Sequence, residues 1–181
     1  MTRMSQTPDL TITPDTAGAG LTVWPENSIT STFDLDEAIA SLDPDLFPLL
    51  FGMTRYARPG SPELRNSAVL VTAEGVQVSD KELLVPVIET GVPFLDHSDL
   101  GVGIRKMLLL DDGTKILPLI CYEAAFFMTM DRAVNKPDLI VILAAEAGFV
   151  ETLASSIMRR HAIARELETG IRVERFSDIP S

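Results

Sequence analysis

The chain has 181 residues, 46% of them hydrophobic, and carries 15 Lys and Arg against 26 Asp and Glu, a formal net charge of −11. That length and apolar content support one folded domain with its own core rather than a disordered chain, and the acidic balance argues against a nucleic-acid partner, whose binding rests on phosphate neutralisation. A single cysteine, Cys121, excludes an internal disulfide. Residues 1–20 read as a polar lead-in with no signal-peptide h-region, and nowhere do roughly 18 apolar residues run together as a membrane span requires, so the chain as written is expected to be soluble.

In chain order, "LTVW" (21–24) reads as a short strand ending at Pro25. "DLDEAIASL" (34–42) reads as a helix with Asp34 as N-cap and Glu37 three residues on, stopped at Asp43 before Pro44. "PLLFG" (48–52) is a short apolar strand, and "NSAVLV" and "VQVSD" form a hairpin around "AEG". "IRKMLLL" and "KILPLIC" form a second hairpin around "DDGT". A helix is expected over "YEAAFFMTMDRA", and "DLIVILAA" has the continuous apolar run of a strand buried on both faces. The clearest helix is "SSIMRRHAIARELETG", with Leu153, Ile157, Ala164, Leu167 and Ile171 near one face and Gly170 as its stop; "IRVERF" is the last strand. Strands and helices mixed with hairpins predict an α/β or α+β sandwich.

Cys121 closes the strand "KILPLIC", with Glu123 two residues later. On its own, a lone cysteine there is a small buried hydrophobe. A nearby carboxylate raises a thiol's pKa unless a cation or base intervenes. The chain offers such partners: Glu26 just past the strand "LTVW", and Lys81 and Glu89 around Pro86. Cys, Glu and Lys together suit acyl chemistry, in which a carboxylate takes the thiol proton, sulfur attacks a carbonyl or nitrile carbon, and an ammonium steadies the oxyanion. A cysteine activated in this way is expected to alkylate faster than a thiol in an unfolded chain.

Four stretches in order, "VWPE" (23–26), "KELLVPVIETGVPF" (81–94), "PLICYEAAF" (118–126) and "RRHAIARELETGIRVERF" (159–176), resemble the successive motifs of the nitrilase (carbon–nitrogen hydrolase) superfamily. They are most similar to the catalytic domain of apolipoprotein N-acyltransferase and to conjugal-transfer proteins carrying a related domain. The resemblance covers residues 21–181 and implies an α-β-β-α sandwich, incomplete here at both ends. It implies Glu26 as general base, Lys81 as oxyanion stabiliser and Cys121 as nucleophile, supported by Glu89, Glu123 and the backbone N–H of Tyr122. The reaction it implies is acyl transfer or amide hydrolysis on a small-molecule amide or acyl donor, through a thioester and with no cofactor or metal. His97 and His161, far apart and with one cysteine, make a poor metal set.

The chain also departs from the acyltransferase pattern. Where that pattern has Asn-Asp-x-Trp-Phe, this chain reads "AAEAGF", with Ala145, Glu146 and Gly148 at the Asn, Asp and Trp positions. Losing the aromatic argues against a lipid substrate. Ile88 replaces a glycine and one extra residue follows Glu89, so Glu89 is expected to be displaced. The alternative reading is a non-catalytic remnant serving as an interaction module in an envelope or conjugal-transfer system. Open sheet edges in a shortened sandwich leave room for a homo-oligomer. Kinship with the acyltransferases would put the domain at the periplasmic face of the inner membrane, beside a membrane-embedded partner segment; otherwise it is cytoplasmic.

Overall fold

The computed structural model describes residues 10–12, 20–85, 89, 100–126, 136–146 and 153–178. Two sheets form. In the first, five strands lie in chain order: β1 (Leu10–Ile12), β2 (Leu21–Val23), β3 (Leu49–Tyr56), β4 (Leu64–Thr72) and β5 (Gly75–Asp80). The second holds β6 (Leu108–Leu109), β7 (Lys115–Ile120), β8 (Leu139–Ala144) and β9 (Arg172–Ser177), again in order. Both hairpins expected from sequence form antiparallel pairs, β4 with β5 and β6 with β7, while β7, β8 and β9 run parallel. Leu10–Ile12, inside the stretch read as a lead-in, pairs antiparallel with β2.

The near-continuous apolar runs follow from burial on both faces of each sheet. Along β3, Leu50 points between the sheets, where it meets Leu70, Val141, Leu143 and Phe176. Its neighbours Leu49, Phe51 and Met53 point the other way and pack under the helix α1 (Leu35–Ala40). In β8 the same alternation sends Val141 and Leu143 inward and Ile140 and Ile142 toward the helix α2 (Leu153–Thr169). The result is four layers, helix–sheet–sheet–helix. Asp34 caps α1 by accepting the Glu37 N–H at 3.0 Å. The Glu37 carboxylate accepts from the Thr32 hydroxyl at 2.6 Å and so ties down the approach to the cap.

Two expectations need revision. The stretch after Cys121 opens as a 3₁₀ turn, Cys121–Ala125, and the rest of the expected helix beyond Phe126 lies outside the described residues. The inward face of α2 is also not the predicted one. Ile157 and Leu167 are exposed, Leu167 at 81%, while Met158, Ala162 and the buried Arg165 face the sheet. The helix is thus turned by about one residue, roughly 100°. The cause is Arg165, whose guanidinium is drawn inward to donate to the Phe126 carbonyl and to pair with Glu168 at 3.0 Å. Leu167→Glu is therefore expected to change stability by less than about 0.5 kcal/mol, and Ala162→Glu to cost at least about 2 kcal/mol. Urea melts of the two variants check the orientation of α2.

Candidate active site

Glu26, Lys81 and Cys121 each stand just past the C-terminal end of a strand. Glu26 follows β2 in a tight turn, Lys81 follows β5, and Cys121 follows β7. The Glu26 turn lies directly on β3 at Gly52, where a Cβ would come within 2.6 Å of the Glu26 Cα. Gly52 N–H donates to the Pro25 carbonyl at 3.2 Å, and Asn27 takes up the turn at φ +54°. Cys121 also has a positive φ, +50°. Only glycine adopts that conformation readily, and strained backbone of this kind gathers at functional sites. Here it lifts the thiol off the strand at a sharp elbow.

The structure brings Glu26, Lys81, Glu89 and Cys121 together. Lys81 Nζ is 2.7 Å from Glu89 Oε1 and 3.6 Å from Glu26 Oε1, and Lys81 itself is 1% exposed. Glu89 stands within the cluster: the Val85 N–H donates to its Oε2 at 2.6 Å, and its own N–H donates back to the Val85 carbonyl, while the stretch after it that carries the extra residue lies outside the described residues. Glu26 is held from both sides, by Asn66 Nδ2 on Oε1 at 2.7 Å and by the Ala145 N–H on Oε2 at 3.0 Å. Neither Asn66 nor Gly52 was among the candidates, since both sit in stretches that read as plain strand. The only available signal was a polar residue and a glycine within otherwise apolar runs.

Electrostatics sets the resting state of this cluster. Burial pushes the Glu26 carboxyl up, against the lowering pull of Lys81, Asn66 and Ala145. Burial alone would lower the Lys81 pKa, but Glu26 and Glu89 outweigh it and hold the ammonium charged. Burial, helped by Glu26 and Glu89 and opposed by Lys81 and the Tyr122 N–H, pushes the Cys121 thiol up to about 12. The expected fast-reacting thiolate is therefore corrected: two carboxylates against one ammonium leave no spare positive charge to stabilise it. At pH 8, iodoacetamide should label Cys121 at least about a hundredfold more slowly than the urea-unfolded thiol. The folded rate should keep rising toward pH 12, long after the unfolded thiol has levelled off. A rate-versus-pH series on both states checks this.

Glu123 is 1% exposed. Its Oε1 accepts from the N–H groups of Glu82 (2.8 Å) and Leu83 (3.3 Å), and its Oε2 from Ile120 N–H (2.8 Å). Arg105 stands 3.6 Å away. The carboxylate thus ties the segment after Lys81 to the elbow that carries Cys121. The Tyr122 N–H donates to the cysteine sulfur, and the Tyr122 ring packs edge-on against Phe126 with centroids 4.8 Å apart. Glu146 is buried in an ion pair with Arg175 of β9. Gly148, Ile88 and His97 lie outside the described residues, and His161 is half-buried on α2. Among the described residues no three of His, Cys, Asp or Glu converge as a metal site, and no helix is long and apolar enough to cross a membrane.

Two facing sheets with a helix on each outer side form the layered fold of the carbon–nitrogen hydrolases, and the buried Glu–Lys–Glu cluster sits in it beside a cysteine at a strand end. The structure is similar to the amidase from Nesterenkonia sp. AN1 (TM-score 0.55, 20% identity, 87% of this chain and 64% of that one). It is also similar to a carbon–nitrogen hydrolase from Helicobacter pylori G27 (TM-score 0.55, 16% identity, 87% and 60%). By sequence the chain is similar to the apolipoprotein N-acyltransferase of Sinorhizobium fredii, 31% identical over 196 residues that cover 93% of this chain and 37% of that protein. That of Rhizobium rhizogenes is 31% identical over 180 residues, covering 86% and 33%. No protein-family model matches the chain. The chain has the fold of the nitrilase superfamily, is similar in sequence to apolipoprotein N-acyltransferases, and spans about a third of their length.

Proposed function

We propose that the domain carries out thiol-dependent acyl transfer or amide hydrolysis at Cys121. The observation that carries this reading is the buried Lys81, 3.6 Å from Glu26 and 2.7 Å from Glu89, next to a thiol presented on a strained elbow. With the thiol protonated at rest, reaction needs a base at the moment of attack. Glu26 takes the thiol proton as Sγ bonds to the acyl carbon, and the carbonyl π-electrons pass to oxygen. The Lys81 ammonium and the Tyr122 N–H, freed from sulfur, face the developing oxyanion. Collapse of the tetrahedral adduct breaks the bond to the leaving amine or alcohol, which takes its proton from Glu26. A thioester on Cys121 remains. Water or an amine then attacks the thioester carbon as Glu26 takes its proton, the C–S bond breaks, and Glu26 returns the proton to the departing Sγ; the choice of acceptor separates hydrolysis from transfer.

The substrate class is a small amide or acyl donor. A Glu-to-Gln variant of the Nesterenkonia amidase holds acrylamide added to its active-site cysteine, and a Cys-to-Ala variant of it is in complex with butyramide. The test is intact-protein mass after mixing with p-nitrophenyl butyrate or butyramide. An adduct of one butyryl group that disappears in Cys121→Ala supports the reading. A folded chain that never gains it, with either donor, overturns it in favour of a non-catalytic domain.

A further inference from the structure

The following inference deepens that reading and rests on it. Asn66, on β4, is 3% exposed and touches three parts of the cluster. Its Nδ2 is 2.7 Å from Glu26 Oε1 and 3.4 Å from Glu89 Oε1, and its backbone carbonyl accepts the Lys81 N–H at 2.8 Å. The two carboxylates fix the amide's orientation, since a flipped amide would turn its oxygen toward two anions. That orientation leaves Oδ1 buried with no hydrogen-bond donor among the described residues. Filling the space does not require this arrangement, since leucine would fill it without an orphaned acceptor; what the amide adds is its donor to the Glu26 carboxylate.

The distances cross over. Lys81 is nearer Glu89 and Asn66 is nearer Glu26. We infer that Asn66 is a positioning residue that keeps Glu26 competent as the base: its amide holds the Glu26 anion in place while the Lys81 ammonium is taken up chiefly by Glu89. Among the described residues, the charged and titratable groups facing Glu26 are Lys81, Glu89 and the Cys121 thiol, and its other hydrogen-bond partner besides Asn66 is the Ala145 N–H. Of these, Glu89 and burial favour a protonated Glu26, which cannot accept the thiol proton. Asn66 and Lys81 oppose them.

The test compares the parent with Asn66→Leu, and with Asn66→Ser should the leucine variant fold poorly. Two quantities are followed: the Glu26 carboxyl titration by ¹³C NMR, and the acidic limb of kcat/KM for p-nitrophenyl butyrate. Both midpoints are expected to rise by about one pH unit. Activity should then fall by up to about tenfold on the acidic side of the parent's midpoint and return to the parent's level at alkaline pH. A Glu26 midpoint that stays put in a folded variant overturns the inference, as does a loss of activity equal at every pH, which would mark ordinary structural damage. The two readings fail separately. A parent that forms no thioester sinks the proposed function, and the NMR midpoint still decides the role of Asn66.

Discussion

Glu26→Gln should split the chemistry of Cys121 into two opposite outcomes. Without the base, amide or ester turnover is expected to fall by about 10²–10⁴-fold. Alkylation of the same thiol at pH 8 should speed up, by about tenfold, because the neighbouring negative charge that disfavours the thiolate is gone. Glutamine keeps the side chain's length and an oxygen for the Ala145 N–H, but it turns its NH₂ toward the Asn66 amide, which must rotate or lose that partner, so an intact unfolding transition of the variant is part of the check. Paired measurements of acyl-enzyme formation and iodoacetamide labelling on the parent and the variant check both directions. Loss of both reactivities would mean that the cleft has collapsed, and gain of neither that Glu26 does not act on the thiol.

Glu123→Gln is expected to be the most damaging single-atom change in the chain. Three backbone N–H groups point at this buried carboxylate. Glutamine offers one oxygen and turns an NH₂ toward the other donors, so at least one buried N–H is left unmet and the rest lose a charged acceptor. A loss of about 2–4 kcal/mol follows, which lowers the melting temperature of a chain this size by roughly 5–15 °C. Scanning calorimetry measures it. A variant that melts within about 2 °C of the parent would show that the strut between the Lys81 segment and the Cys121 elbow carries little weight.

Where a residue's place depends on its position at a strand end, the sequence was readable. Glu26, Lys81 and Cys121 each follow an apolar run, and the structure draws them into one cluster with Glu89. Roles that depend on who sits across a gap were not readable. Asn66 looks like one polar residue in "NSAVLV", because its partners lie 40 and 23 residues away. Gly52 looks like the end of a strand, but it is the bare spot on which the Glu26 turn rests. For α2, apolar spacing favoured Leu167, while an inward-facing Arg165, which spacing cannot register, decided the rotation. The thiol's resting state was misjudged for a related reason. Naming the charged residues around Cys121 does not say that burial and two carboxylates outweigh one ammonium.

The hydrogen bond from Ala145 to Glu26 closes a loop of 119 residues and joins a turn of the first sheet to a strand end of the second. The entropy of closing so long a loop must be met by other contacts before this one can form. Each sheet can zip up its own hairpin from neighbouring residues, but the cleft exists only once the two have docked. The chemistry of the cluster is therefore a property of the completed chain, and a nascent or half-unfolded domain would carry the same four side chains as unrelated surface groups.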